Sequence, residues 1–284
     1  MEVVVGKTAG FCPGVNFAVN KAKEILNKND KVYCLGEIVH NKQVVEELES
    51  FGMITVQNID EVPNNELVIF RAHGEAPNIY TKAQEKNLKV IDTTCGKVKA
   101  IHIKVQKESV NSFIIIVGKK NHPETIGTKG FAGKNSFVIE SEDDILDAYM
   151  DFENTDFRRV FVVSQTTFSE DKFEKIAQLV DDNFTEAEVI VDKTICDATE
   201  IRQAETRQIA KKTHYMFVIG GKNSSNTKEL VKIAMQECEN VYSLETVEEI
   251  KNLKLDNNQC AGIMAGASTP EKSIKELKKY LENI

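Results

Sequence analysis

No stretch of this 284-residue chain approaches the roughly 18 consecutive apolar residues that a membrane-spanning helix needs. Its opening, MEVVVGKTAG, lacks the basic region, long apolar stretch and small-residue cleavage site of a secretory signal. The expectation is a cytoplasmic protein with no membrane partner. Positive charge is also short: 36 Lys and Arg against 44 Asp and Glu leave a formal charge of -8 and a pI near 5.4. That excludes holding nucleic acid by bulk phosphate neutralisation, so an anionic substrate would need a local binding site. No Pro/Gly-rich linker divides the chain, and its six cysteines form no short Cys-x-x-Cys motif. Without a secretion signal, such cysteines read as reduced thiols or metal ligands rather than a disulfide framework.

What the sequence does hold is one pattern written three times. Short β-branched runs end at Cys12 (EVVVGKTAGFC), Cys95 (KVIDTTC) and Cys196 (EVIVDKTIC), and each leads into a helix-compatible stretch. A second apolar run then ends in a polar loop, in VYCLGEIVHN, FIIIVGKKNHPE and YMFVIGGKNSSNT. In those loops His40, His122 and Ser224 lie 28, 27 and 28 positions after their cysteines. An acidic pair before an aliphatic residue recurs as Asp60-Glu61-Val62, Asp143-Asp144-Ile145 and Glu248-Glu249-Ile250. It predicts the first turn of a helix, where carboxylates suit the dipole. A last apolar run closes each copy, in LVIFRAHG, VFVVSQTTFS and CAGIMAGASTP.

Alternating strands and helices predict an α/β fold of three pseudo-equivalent α/β domains with mainly parallel sheets. The repeats divide the chain at 1–94, 95–193 and 194–284, with residues 1–11 able to pair with the first or the third repeat. In such sheets ligands collect beyond the carboxyl ends of the strands, where all the recurring polar residues lie. A pseudo-threefold arrangement would bring three sequence-distant cysteines to one shared central site.

Cys12, Cys95 and Cys196 hold one equivalent position, whereas Cys34, Cys238 and Cys260 have no such correspondence and are expected to be small buried hydrophobes. Three thiolates suit an iron–sulfur cluster with one iron left open for a substrate oxygen. Zinc on three cysteines, with water or a histidine as the fourth ligand, is the alternative. His40, His73 and His122 each end an apolar run, and Ser224, Ser225, Asn226 and Ser268 occupy the analogous ends in the third copy. Imidazoles, hydroxyls, an amide and helix N-termini compose a diphosphate pocket without a basic protein. His102 and His214 read as structural. Glu124, two residues after His122, is the candidate proton donor, with a plain surface glutamate as the bland reading. Thr166 and Thr167 are placed to orient a substrate hydroxyl.

The segments GFCPGV, LGEIVHN, RAHGE, DTTC, NHPETIGTKG, VSQTT, TICDAT, NSSNT and AGASTP, in this order and spacing, resemble the LytB family over nearly the whole chain. The resemblance implies three α/β domains around a central [4Fe-4S] cluster held by Cys12, Cys95 and Cys196. It implies an iron–sulfur oxidoreductase acting on CH–OH groups. Its substrate would be 4-hydroxy-3-methylbut-2-enyl diphosphate, and its products, closing the non-mevalonate isoprenoid route, isopentenyl and dimethylallyl diphosphate. By the same resemblance the diphosphate is held by His40, His73, His122, Thr199, Ser224, Ser225, Asn226 and Ser268. Glu124 supplies protons, Thr166 positions substrate, and a ferredoxin or flavodoxin supplies electrons. Pro13, Gly96 and Ala72 depart from the usual family residues, in loop shape rather than at any named ligand. Two other readings compete: a three-cysteine dehydratase of quinolinate synthase type, and a non-catalytic cluster or zinc sensor. The dehydratase would favour Arg or Lys clamps at the strand ends.

Overall fold

The computed structural model describes residues 1–284. In chain order it holds β1 (Glu2–Val5), α1 (Pro13–Leu26), β2 (Val32–Leu35), α2 (Lys42–Ser50), β3 (Met53–Val56), β4 (Leu67–Phe70), α3 (Pro77–Glu85) and β5 (Lys89–Asp92). The succession recurs as α4 (Gly96–Glu108), β6 (Phe113–Val117), α5 (Pro123–Ala132), β7 (Ser136–Ile139), α6 (Ile145–Glu153), β8 (Arg159–Ser164), α7 (Glu170–Asn183) and β9 (Glu188–Val191). It returns a third time as α8 (Asp197–Ala210), β10 (Tyr215–Ile219), α9 (Ser225–Glu237), β11 (Asn240–Leu244), β12 (Cys260–Ala265) and α10 (Glu271–Glu282).

These strands build three four-stranded sheets of one topology, β3-β2-β4-β5, β7-β6-β8-β9 and β11-β10-β12-β1, in which every pairing is parallel. The chain therefore has the three parallel-sheet α/β domains that its repeats predict. The strand that runs into a cysteine is always an edge strand. It pairs with the strand that closes the last apolar run, Lys89 opposite Leu67, Glu188 opposite Arg159 and Glu2 opposite Cys260. For Cys12 that strand is β1, so the first residues of the chain complete a sheet made from its last ones.

Continuous apolar runs form the central strands because, in the second and third sheets, helices cover both faces. In β6, Phe113, Ile115 and Val117 pack with Phe152 and Phe173, whereas Ile114 and Ile116 pack with Ile101 and Val105. This is the two-residue period of a strand buried on both sides. β10 repeats it, with Phe217 and Ile219 against Leu277 and Leu281, and Met216 and Val218 against Ile209 and Leu230. In the first sheet Tyr33, Leu35, Val68 and Phe70 pack with Ile59 and Ala83. Each large side chain so buried contributes roughly 1.5–3 kcal/mol. By compactness the chain forms two units. Met1–Lys23, Val39–Phe51 and Asp197–Ile284 form one, which carries the sheet of β1, β10, β11 and β12; Glu24–Ile38 and Gly52–Cys196 form the other, with the remaining two sheets.

Two local expectations need correction. The acidic pairs do not all begin α-helices: Asp60-Glu61 and Glu248-Glu249 lie in single 3-10 turns, and only Asp143-Asp144 runs on into α6. Each is a capping box, in which Glu61, Asp144 or Glu249 reaches back to the N-cap N–H of Asn58, Ser141 or Thr246. The first turn stops because Val62 precedes Pro63 and is held extended at φ -77, ψ 123. Second, each copy holds an additional edge strand, β3, β7 or β11. Four or five residues of mixed burial, MITV, SFVI and NVYSL, carry too little periodicity to stand out in sequence.

Candidate functional site

Cys12, Cys95 and Cys196 are placed by one device. Each follows its edge strand, stands immediately before a helix, α1, α4 or α8, and is half-buried with a free thiol. Each also donates its backbone N–H to a carbonyl two residues past the neighbouring strand: Cys12 to Ala267 at 3.0 Å, Cys95 to Ala72 at 3.0 Å and Cys196 to Thr166 at 3.0 Å. The helix N-termini put positive potential at the sulfur atoms. At Cys12 the N–H of Val15 points at Sγ, 3.5 Å away.

Glu124 lies in the first turn of α5 and is only 3% exposed. Its Oε1 accepts from the N–H of Thr166 at 2.6 Å and its Oε2 from the Thr166 hydroxyl at 2.8 Å. Burial pushes its carboxyl up to about 7, although the two Thr166 bonds pull the other way. It can therefore hold and release a proton near neutral pH. Thr166 offers its carbonyl to Cys196, so the buried Glu124 carboxyl and a cysteine loop are joined through one residue. His122 is the N-cap of α5. Its Nδ1 accepts the Glu124 N–H at 3.2 Å, which leaves Nε2 as the donor. The His73 ring stands edge-on to His122, with centroids 5.4 Å apart. Gly74 follows at φ +77, and a Cβ there would meet His102 Cε1 at 2.6 Å.

In the other unit, Ser224 is the N-cap of α9 and accepts from the N–H of Thr227 at 3.2 Å. Ser225 and Asn226 form the first helical turn, both buried. The Asn226 Nδ2 is buried with no hydrogen-bond partner. An unpartnered buried donor is costly unless a ligand satisfies it. The Ser268 hydroxyl donates to the His40 carbonyl at 3.1 Å. Gly221 lets that carbonyl approach, since a Cβ there would lie 2.2 Å from the His40 oxygen. The N-cap beside His40 is Asn41, accepting from Val44 N–H at 3.2 Å. Thr199 is buried in the first turn of α8, three residues after Cys196. Buried hydroxyls, an amide and helix N-termini are donors of the kind that suit phosphate oxygens.

The LytB protein family pattern matches residues 3–282. The chain belongs to the LytB family. It is 39% identical to the 4-hydroxy-3-methylbut-2-enyl diphosphate reductase of Clostridioides difficile strain 630, with 100% of each chain covered. To the reductase of the same name from Aquifex aeolicus strain VF5 it is 38% identical, over 100% of this chain and 97% of the relative. Among solved structures it resembles the E-1-hydroxy-2-methyl-but-2-enyl-4-diphosphate reductase of Plasmodium falciparum, with TM-score 0.85 and 32% identity, over 99% of this chain and 87% of that one. A second, described as (E)-4-hydroxy-3-methyl-but-2-enyl diphosphate reductase, the terminal enzyme of the non-mevalonate pathway, gives TM-score 0.71 and 37% identity with 100% of both chains covered.

The donor set of this LytB chain suits an iron–sulfur cluster. All three sulfurs are reduced and stand at helix N-termini, and an N–H points at one of them, as hydrogen bonds to cluster sulfur do. Of the remaining cysteines, Cys34 and Cys238 are buried as expected, but Cys260 is not; at the start of β12 it stays half-exposed. Thr167 accepts from Gln165 Nε2 at 2.8 Å. His102 is a structural residue, stacked on Phe131 at 4.3 Å and lowered by burial to about 4. Sequence reasoning passed over Arg71 and Glu75, which form a largely buried ion pair at 2.9 Å across the His73 turn. Burial raises the Glu75 carboxyl despite the Arg71 charge. The opposite charges four residues apart in RAHGE were the signal. Gly36, at φ +69, clears the space for Arg71; a Cβ there would lie 2.1 Å from Nη1.

Proposed function

We propose that this chain reduces 4-hydroxy-3-methylbut-2-enyl diphosphate to isopentenyl and dimethylallyl diphosphate. The allylic C–O bond breaks, two electrons and two protons enter, and the C4 hydroxyl leaves as water. The observation that carries this reading is the buried Glu124, poised near neutrality and tied through Thr166 to the Cys196 loop.

Cys12, Cys95 and Cys196 would hold a [4Fe-4S] cluster, which when bound supplies electrons and an open Lewis-acidic iron. The protein's own residues do the rest. Glu124 delivers a proton toward the departing hydroxyl, and Thr166 fixes the carboxyl so that the proton is carried at a defined position. His40, His73, His122, Thr199, Ser224, Ser225, Asn226 and Ser268 anchor the diphosphate. Binding energy from that remote group then holds the carbon skeleton in place for reaction. The three repeats, 1–94, 95–193 and 194–284 with residues 1–11 added to the last, would each contribute one cysteine and one set of strand-end polar groups. Electrons would come from a ferredoxin or flavodoxin in the cytoplasm.

Anaerobic reconstitution with iron and sulfide, followed by reductant and the hydroxylated C5 diphosphate, tests this. Both C5 diphosphates forming on four irons per chain is the expected result. A bound cluster with no turnover would overturn the assigned reaction.

A further inference from the structure

We propose that Arg202 and Glu205 of α8 are positioning residues that fix the backbone leading into Cys12. Arg202 is 3% exposed. Its Nε and Nη2 donate to the Thr8 carbonyl at 3.0 and 2.6 Å, and Nη2 also to the Gly10 carbonyl at 2.8 Å. One turn further along the same helix, Glu205 accepts the N–H of Lys7 at 2.7 Å, the N–H of Thr8 at 2.9 Å and the Thr8 hydroxyl. Donor, acceptor and side chain of Thr8 are thus all taken by α8. The two opposite charges stand three residues apart on α8, and both reach the same loop. Gly10, which offers the second carbonyl, sits at φ +107, a backbone conformation that L side chains rarely adopt.

A buried guanidinium is costly unless its donors are satisfied, and charge-assisted bonds are the stronger kind. A loop held this way has little freedom to open, and Cys12 lies only two residues beyond Gly10. Helix α4 makes a lighter version of the same grip. Lys104 stands nine residues after Cys95, as Glu205 does after Cys196, and pairs at 2.5 Å with Asp192, four residues before Cys196, as Thr8 is before Cys12. That pair is half-exposed and correspondingly weaker. The consequence for a cluster rests on the function proposed above; the grip on the loop does not.

The test compares thiols within one molecule. Cluster-free protein is alkylated with iodoacetamide and the rate at each cysteine is followed by peptide mass spectrometry. Arg202→Met is expected to raise the Cys12 rate on the order of tenfold relative to Cys95, because charged hydrogen bonds restraining the loop are lost. Arg202→Lys, which restores a donor, is expected to recover most of the protection. Thr8→Val removes a single hydroxyl and keeps the fold, and should give a smaller gain in the same direction. On anaerobic reconstitution Arg202→Met should hold less iron per chain than wild type, with Arg202→Lys between them. A Cys12 to Cys95 ratio unchanged in all three variants would overturn the proposal. Wild-type protein that takes up no iron would count against the cluster, while the alkylation ratio would still judge the grip.

Discussion

Thr166 holds Glu124 at both oxygens, its N–H on Oε1 at 2.6 Å and its hydroxyl on Oε2 at 2.8 Å. A carboxylate with two donors would ordinarily titrate low, yet burial outweighs them and leaves Glu124 near 7. The group is thereby oriented like an anion and protonated like a weak acid, which is what a proton donor at neutral pH needs.

Glu124→Gln keeps the shape and removes the transferable proton. Iron content and far-UV circular dichroism should match wild type, while turnover falls by a factor on the order of 10²–10⁴. Full activity in this variant would remove Glu124 from the reaction.

The same shift makes stability depend on pH. The folded value near 7 lies above the ordinary 4.5, so the folded state binds the proton more tightly than the unfolded one. This contribution is fully present below 4.5 and is lost as pH rises through about 7. It amounts to roughly 3 kcal/mol between those limits. Melting curves of wild type and Glu124→Gln from pH 5 to 8 should show the wild type losing ground to the variant. Parallel curves would mean the carboxyl titrates normally.

Asn226 carries an unpartnered amide into a buried helix start. Replacing it with leucine should leave the melting temperature of the ligand-free protein equal or slightly higher, because the unsatisfied donor goes. Inorganic diphosphate should bind more weakly to Asn226→Leu by about 1–2 kcal/mol. Calorimetric titration that finds equal affinity would take Asn226 out of the proposed diphosphate contacts.

Gly36→Ala forces an L-residue to φ +69 and drives its Cβ into Arg71 Nη1. A loss of about 1–3 kcal/mol is expected in urea unfolding. Combining it with Arg71→Ala should recover part of that loss by clearing the contact, which a double-mutant cycle measures.

Much of the fold was readable because strands buried on both faces must be continuously apolar, as FIIIV and YMFVI are. The three cysteine contexts could be matched because each serves the same turn from strand to helix. What sequence concealed has specific causes. The strand MITV is short and pairs on one side only, so its pattern is weak. The pair Glu248-Glu249 looks like a helix start because capping chemistry is the same for a single 3-10 turn. Glu124 stood out by its spacing from His122, but nothing in the sequence shows that Thr166 holds it, forty-two residues away. Arg202 and Glu205 carry no signal in the sequence, since their partners lie in a loop almost two hundred residues earlier.

The pairing of β1 with β12 also sets a timetable. Domains tend to fold as they leave the ribosome, amino-terminal parts first, yet Glu2–Val5 cannot find their place until residues 260–263 have been made. The same delay applies to Cys12, whose N–H waits for the carbonyl of Ala267. The first of the three cysteines to be synthesised is therefore the last to be set. Until then the nascent chain carries an unpaired β-strand and a thiol whose loop has no partner to hold it.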